Sequence, residues 1–303
     1  MLPSRISGRI PHFHGCDLDM ADVLSDAEKL NVAKGFLLAS PPGEVRDVSK
    51  DVAKLLPRGL LSDTALRGIL HTYNVENSLP VQIPNEDESK RLVVCQEGEV
   101  DVGHYLDTHG RKVWGFDHVT QEILAQDVQD ASARFTSSLE PLRAELQVEV
   151  DAYLATQFGN QGGAAVFATD STITIVLSTE RVSLRNFWSG RWKSKWTLTN
   201  VSPDAATLAG RIDLHVHYFE DGNLQLQSHK DVAPVPVTGE SLAQAVLAVL
   251  RAEEHVVHSN LEDMYINMTE ETFKEMRRVM PVTQTKMEWN LYAHRTAKDL
   301  SRK

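Results

Sequence analysis

The sequence predicts an α+β fold, and three patterns support that prediction. Apolar residues recur every three or four positions through the first quarter of the chain, as they do in amphipathic helices. Five strand-like runs then follow one another between residues 161 and 235. A long amphipathic segment comes directly after them. Strands joined by tight turns favour an antiparallel sheet, and the long segment is expected to cover one of its faces.

The N-terminal region is predicted to be a stalk of three helices after a disordered extension over residues 1–20. Ser25 and Glu28 have the spacing of a capping box, in which each side chain binds the other residue's backbone N–H. Pro41-Pro42-Gly43 ends the first helix. Two further helices reach to about residue 75, and the short turns between them favour antiparallel packing.

The middle of the chain is predicted to hold a small β region and then a helical connection. Glycines at 98, 103 and 110 mark turns between short strands up to residue 116. Residues 120–158 are predicted to be mostly helical, because Leu139, Leu142, Leu146 and Val150 repeat at intervals of three and four.

The five predicted strands form the most regular part of the sequence. Asp221-Gly222 is a strong hairpin signal, since both residues tolerate positive φ. Pro234 and Pro236 are expected to end the sheet. A helix of about 40 Å is predicted over residues 241–267, followed by a short basic helix and a mobile amphipathic C-terminal tail. The predicted organisation is 1–20 extension, 21–75 stalk, 76–116 small β region, 117–160 helical connection, 161–235 sheet, 236–280 long helix and short basic helix, and 281–303 tail.

Composition limits the classes of function. The 303 residues carry a net charge of −11, yet residues 274–303 hold eight Lys and Arg against three acids. A basic tail on an acidic body is typical of an arm that binds an acidic surface, and the acidic body argues against nucleic acid as a partner. The two cysteines are too few for a disulfide framework and favour a reducing compartment, cytosolic or nuclear. No secretory signal or membrane-spanning run is evident.

Several possible sites were weighed and set aside. His215, His217 and His229 could approach one another on neighbouring strands, but no carboxylate or cysteine completes a metal site. Residues 220–223 lack the ligand spacing of a calcium loop. The tryptophans between 188 and 196 alternate with basic residues, which fits either base stacking or, as we favour, a packed sheet face under the long helix. Neither a phosphate-binding loop nor a nucleophile motif is present, so no catalytic, cofactor or metal site is predicted.

Two long motifs carry a resemblance to a known family. The first is Asn186-Phe187-Trp188-Ser189-Gly190-Arg191-Trp192-Lys193-Ser194-Lys195-Trp196. The second is Val216-His217-Tyr218-Phe219-Glu220-Asp221-Gly222-Asn223-Leu224 with Ser228-His229-Lys230-Asp231. Together with Ala39-Ser40-Pro41-Pro42-Gly43-Glu44 near the front and Arg277-Arg278 near the end, they make the chain resemble the alpha subunit of F-actin-capping protein. The similarity covers roughly residues 21–303.

The resemblance implies a non-enzymatic function. A capping protein alpha subunit joins its sheet to that of a beta subunit in an obligate heterodimer. This dimer binds the barbed ends of actin filaments without calcium and blocks subunit addition and loss without severing. The same family implies an alternative role, in which the chain caps a short actin-like filament inside a dynactin-like motor-adaptor assembly. Either role places the protein in the cytoplasm with the cortical actin cytoskeleton.

The resemblance also indicates which residues bind. Basic residues before and after Pro281 match the family's actin-binding surface, although Gln284 stands where the family usually has another basic residue. Beyond them the tail has an apolar helical face that would lie in a groove of actin. The basic cluster also matches the site of inhibition by phosphoinositide lipids. The predicted actin-binding residues are Lys274, Arg277, Arg278, Lys286, Trp289, Tyr292, Arg295 and Leu300.

Overall fold

A computed structural model describes residues 24–87, 90–219 and 223–267 of the chain. It has the predicted α+β architecture. The helices are α1 (Asp26–Leu38), α2 (Val45–Leu55), α3 (Asp63–Glu76), α4 (Glu140–Phe158) and α5 (Leu242–Asn267). The strands are β1 (Leu79–Gln82), β2 (Arg91–Val94), β3 (Glu99–Asp101), β4 (His104–Asp107), β5 (Lys112–Asp117), β6 (Glu122–Asp130), β7 (Gly162–Ala168), β8 (Ile173–Ser183), β9 (Trp188–Thr199), β10 (Ala205–Tyr218) and β11 (Leu224–Thr238). The extension over residues 1–20, the Asp221-Gly222 turn, the short basic helix and the tail lie outside the described residues.

The first three helices pack around a small apolar core of their own. The predicted capping box is confirmed, with the Ser25 backbone N–H 2.8 Å from the Glu28 carboxylate and the Glu28 N–H 3.3 Å from the Ser25 hydroxyl. It satisfies N–H groups that the first turn of α1 would otherwise leave unpaired. Buried apolar side chains from all three helices meet at Ala33, Leu37, Val52 and Ile69.

The predicted helical connection over residues 117–160 is wrong in its first part. Residues 122–130 form β6, which pairs antiparallel with β5 in a four-stranded sheet of order β3-β4-β5-β6. Gln121, with a φ of 56°, lies in the tight turn that joins the two strands. The apolar repeat that predicted a helix belongs to α4, which begins only at Glu140. Pairing with β5 decides the conformation of residues 122–130, since strand preference depends on the neighbouring strand more than on the residue itself.

The predicted five-stranded antiparallel sheet is confirmed, in the order β11-β10-β9-β8-β7. The expectation that Pro234 and Pro236 end it is wrong, because β11 continues to Thr238 and pairs with β10 beyond both prolines. Proline cannot donate a backbone hydrogen bond, and edge strands are where a sheet tolerates it. Among the described residues, β11 is an edge strand with no neighbouring strand on its outer side. A proline N there therefore leaves no backbone carbonyl of another strand without its donor.

Helices α4 and α5 cover one face of this sheet and enclose the main core. Helix α5 has 26 residues, which corresponds to about 39 Å. Its buried stripe runs through Leu242, Val246, Leu247 and Leu250. Val256, further along α5, is 45% exposed and lies outside this stripe. The predicted packing of tryptophans under the long helix is confirmed at two positions of β9, since Trp192 and Trp196 are buried in this core.

The opposite face of the sheet divides into two halves. Under β7 and β8 it is apolar, where Val93 and Cys95 pack against Ala165, Phe167 and Val176. Under β9, β10 and β11 it carries mostly polar and charged side chains. The ends of α1 and α3 approach this polar half, and the sites described next lie at that junction.

Candidate functional site

The residues predicted to bind a partner all lie between positions 274 and 300, outside the described residues. The structure describes what precedes them, namely α5 and the sheet on which it lies. What it does bring together is the set of motifs in the body of the chain. Ser40, Gly43 and Glu44, from the Ala39–Glu44 motif, lie at a joint between the helices and the sheet. Ser40 contacts α3, Gly43 approaches β8, and Glu44 contacts β9 and β10.

Arg191 is at the centre of this joint. Its side chain is 4% exposed and binds the Glu180 carboxylate through Nε at 2.9 Å and Nη2 at 2.6 Å. Nη2 also donates to the Tyr73 hydroxyl of α3 at 3.0 Å. Burial alone would lower the pKa of Arg191, but its interactions with Glu180 and Tyr73 outweigh burial and raise this pKa. The guanidinium therefore stays charged and fixes α3 to β8 and β9.

Tyr73 carries the connection onward to the turn after α1. Its hydroxyl lies 3.2 Å from the carbonyl oxygen of Ser40 and 3.1 Å from that of Pro41. Burial raises the pKa of the Tyr73 hydroxyl, so it remains a donor at neutral pH. Gly43 in the same turn has a φ of +75°, and a Cβ there would come within 2.3 Å of Val182. Glycine is required at this position by both the backbone conformation and the close approach of β8.

Glu44 forms the second half of the joint. Its Oε1 accepts a hydrogen bond from the Ser189 hydroxyl at 3.1 Å and lies 2.7 Å from Nδ1 of His217. The other ring nitrogen of His217 is 3.0 Å from the side-chain oxygen of Asn223. The sequence could not predict the contacts of Glu44 with Ser189 and His217, because they join residues more than 140 positions apart.

The three histidines weighed as a metal site are used differently from one another. His217 belongs to the joint, whereas the ring of His215 lies near the side chains of Gln225 and Gln227. His229 lines a cavity beside the joint. Among the residues that the structure describes, no three His, Cys, Asp or Glu side chains cluster as metal ligands would.

Glu254 is a functional candidate that the sequence reasoning missed. It lies on the buried side of α5, is fully buried, and accepts hydrogen bonds from the hydroxyls of Tyr153 at 2.7 Å and Ser194 at 2.6 Å. Burial is the main cause that raises its pKa, and these hydroxyls act in the opposite direction. The available signal was its position, four residues after Leu250 on the apolar stripe. The carboxyl fixes α5 to α4 and β9, some 20 residues before the predicted binding segment.

Comparison with known proteins settles the family. The profile of the F-actin capping protein alpha subunit family matches residues 33–299. The chain belongs to this family. A Caenorhabditis elegans F-actin-capping protein subunit alpha is 32% identical over 272 residues, covering 88% of this chain and 95% of that protein. The corresponding subunit of Dictyostelium discoideum is 31% identical over 272 residues, covering 88% and 94%.

A solved structure supports the fold separately. The homodimeric actin capping protein alpha subunit from Plasmodium berghei matches with a TM-score of 0.71 at 21% identity, covering 86% of this chain and 99% of that one. The joint brings together family motifs that lie far apart in the sequence. Arg191 and Ser189 come from one motif, His217 and Asn223 from another, and Glu44 from a third.

The two edges of the central sheet differ in exposure. Strand β7 is buried along almost its whole length, between α4 on one face and β2 on the other. Strand β11 is the opposite edge, and most of its 15 residues are exposed or half-buried.

Within the described residues no helix is long and apolar enough to cross a membrane.

Proposed function

We propose that this chain is the alpha subunit of a heterodimeric F-actin-capping protein. In this proposal it binds the barbed ends of actin filaments independently of calcium, and blocks subunit addition and loss without severing. The family match over residues 33–299 carries the proposal. The relatives are named as capping protein subunits, which favours capping over the scaffold role in a motor-adaptor assembly. The family is one of structural actin-capping proteins, so the proposed action is steric and electrostatic and takes place at cortical actin.

The proposed partner is a capping protein beta subunit, and the β11 edge supports this pairing. A long exposed edge strand presents unpaired backbone groups that favour aggregation. A second sheet paired along β11 would satisfy those groups, whereas the β7 edge is already covered. Expressed alone, the chain should aggregate or remain bound to chaperones, and co-expression with the beta subunit should give a soluble complex. A well-folded soluble monomer with a sharp cooperative melt would contradict this proposal.

We propose that the filament-binding residues act in two groups. Lys274, Arg277 and Arg278 precede Pro281 and would steer the encounter with acidic actin, which is screened by salt over about 8 Å. Lys286, Trp289, Tyr292, Arg295 and Leu300 would form the tail contact, whose apolar burial mainly slows dissociation. The first cluster would also bind phosphoinositides, at about 1 kcal/mol per basic residue.

Seeded actin elongation tests both groups. Reversing Lys274 and Arg278 to Glu should lower the capping on-rate and flatten its dependence on salt. Truncation after Thr285 should instead speed uncapping after dilution and leave the heterodimer folded. Phosphoinositide vesicles should compete with filament ends for the wild-type protein. An unchanged off-rate after truncation, or loss of the dimer, would mean that the tail is part of the body of the protein.

A further inference from the structure

A polar cavity of about 420 Å³ lies on the uncovered half of the sheet, next to the joint. Ser40 and Asn77, at the ends of α1 and α3, form one wall. The floor is made by three neighbouring strands, β9, β10 and β11. The charged and titratable side chains that line it are Arg191, Lys193, Arg211, Asp213, His215 and His229.

Positive charge exceeds negative charge in this lining. Three permanently charged cations line the cavity with one carboxylate, that of Asp213, although Arg191 is also paired with Glu180 outside the lining. Asp213 is shared, since Lys193 Nζ lies 3.5 Å from one of its oxygens and Arg211 Nε lies 2.9 Å from the other. Arg211 also reaches Asp231, whose side chain is 68% exposed. Lys193 Nζ also donates to the carbonyl oxygen of Glu76 at 2.8 Å, so each cation has an acceptor, and the spare capacity of the cavity lies in the N–H groups that these acceptors leave unbound.

Arg191 provides an independent sign that an acceptor is absent. Its Nε and Nη2 are bound by Glu180 and Tyr73, but its Nη1 is buried without a hydrogen-bond partner among the described residues. A buried guanidinium donor without a partner has lost its hydrogen bond to water and gained none in return, so it destabilises the fold. A carboxylate that entered the cavity would supply charge-assisted acceptors for these groups.

The position of the cavity indicates where that carboxylate comes from. It opens beside β11, the exposed edge of the sheet, and His229 of that strand lies on its lining. Residues 225, 227, 229 and 231 alternate onto this face of β11, opposite 217, 215, 213 and 211 of β10. A strand paired with β11 would lie about 4.8 Å away and present its own alternate side chains to the same face.

We propose that this cavity receives acidic side chains of the partner subunit that pairs with β11. The inference rests on the proposed heterodimer and deepens it, because it names the chemistry that recognises the partner. An acid from the partner would bind Arg211 of β10, and Asp213, which Arg211 shares with Lys193, would extend this network to β9 beside the joint between the helices and the sheet. Charge complementarity of this kind selects the correct partner over copies of the same chain.

The test is the stability of the complex between this chain and its beta subunit. The double variant Lys193→Gln and Arg211→Gln removes two cavity cations and keeps the polar side chains. Lys230→Gln, Glu253→Gln and wild type serve as comparisons, because Lys230 lies on the opposite face of β11 in a 2.7 Å ion pair with Glu253. Subunit exchange between a complex with fluorescent alpha subunit and an unlabelled complex is measured at several salt concentrations. The double variant should exchange about tenfold faster at low salt and depend less on salt, while Lys230→Gln stays within about twofold of wild type.

Arg211→Lys separates loss of charge from damage to the fold. It keeps the charge but loses the planar fork that binds Asp213 and Asp231, so it should retain the salt dependence if the cavity charge acts on the partner. Exchange rates of the double variant equal to those of Lys230→Gln would overturn the inference while leaving the proposed heterodimer intact. If inorganic phosphate raises the melting temperature of the wild-type complex but not of the double variant, and exchange is unchanged, the cavity binds a free anion and not the partner. A wild-type chain that forms no complex with the beta subunit would refute both proposals.

Discussion

The imidazole of His109 lies between two carboxylates where the turn from β4 to β5 meets α4. Its Nε2 is 2.9 Å from Asp151 and its Nδ1 is 3.5 Å from Asp107. Burial alone would lower the pKa of His109, but the two carboxylates outweigh it and raise this pKa to about 9. An unfolded histidine titrates near 6.5. The ion pair therefore stabilises the fold fully below pH of about 6.5, and the stabilisation is lost as pH rises through about 9.

The size of this effect follows from the pKa and the exposure. A pKa raised from about 6.5 to about 9 corresponds to roughly 3 kcal/mol. The side chains of His109 and Asp151 are 22% and 38% exposed, so screening by water reduces the expected value to about 2 kcal/mol. His109→Gln should therefore lower the free energy of unfolding of the complex by about 2 kcal/mol at pH 6, and by under about 0.5 kcal/mol at pH 10.

Urea unfolding of the purified heterodimer, followed by tryptophan fluorescence at one protein concentration, measures this difference. His255→Gln is the matched control, since it removes an exposed imidazole from the outer face of α5. The control should differ from wild type by the same small amount at both pH values. Equal losses for His109→Gln at pH 6 and pH 10 would refute the reasoning, because they would show that the side chain acts through packing and not through its charge.

Four further substitutions test the fold and the joint by urea unfolding and soluble yield of the complex. Gly210→Ala should prevent folding, because its Cβ would lie 2.2 Å from the ring of Trp196, whereas Gly68→Ala meets nothing within 4 Å and should stabilise α3 by up to about 1 kcal/mol. Tyr73→Phe should cost about 1–3 kcal/mol, since it leaves a buried guanidinium and two carbonyls without their shared hydroxyl. Because burial raises the pKa of Glu254, the wild-type fold should lose stability as pH rises above about 4.5 and the carboxyl ionises. Glu254→Gln should remove this loss. A pH profile of stability identical to wild type would contradict that assignment.

The sequence predicted those elements whose periodicity is set locally. The capping box at Ser25, the five strands and the long helix over about 241–267 all depend on patterns within a few residues. Strand β6 could not be predicted in this way, because residues 122–130 have weak periodicity of their own and are held by pairing with β5. The extension of β11 past Pro234 and Pro236 likewise depends on its place at the edge, which the sequence does not state.

The contacts of the candidate sites were less predictable than the elements. The motifs indicated the family, but the meeting of Glu44 with Ser189 and His217 follows from tertiary packing. Glu254 follows another Glu in the sequence and belongs to none of the family motifs. Its burial becomes evident only when the stripe through Leu247 and Leu250 is extended by one turn. The predicted filament-binding residues from Lys274 to Leu300 remain predictions, since they lie outside the described residues.

The polar half of the sheet and the exposed β11 edge together support the proposal that this chain pairs with a second subunit. A sheet normally buries an apolar face, and here α4 and α5 provide that burial on one side only. On the other side, the half under β9 to β11 has charged residues and an unpaired guanidinium nitrogen among the described residues. Such a surface gains little from apolar contact but gains from a partner that brings both backbone hydrogen bonds and carboxylates. In the proposed heterodimer, the edge that would leave the single chain prone to aggregation would therefore also favour a subunit that carries acidic side chains.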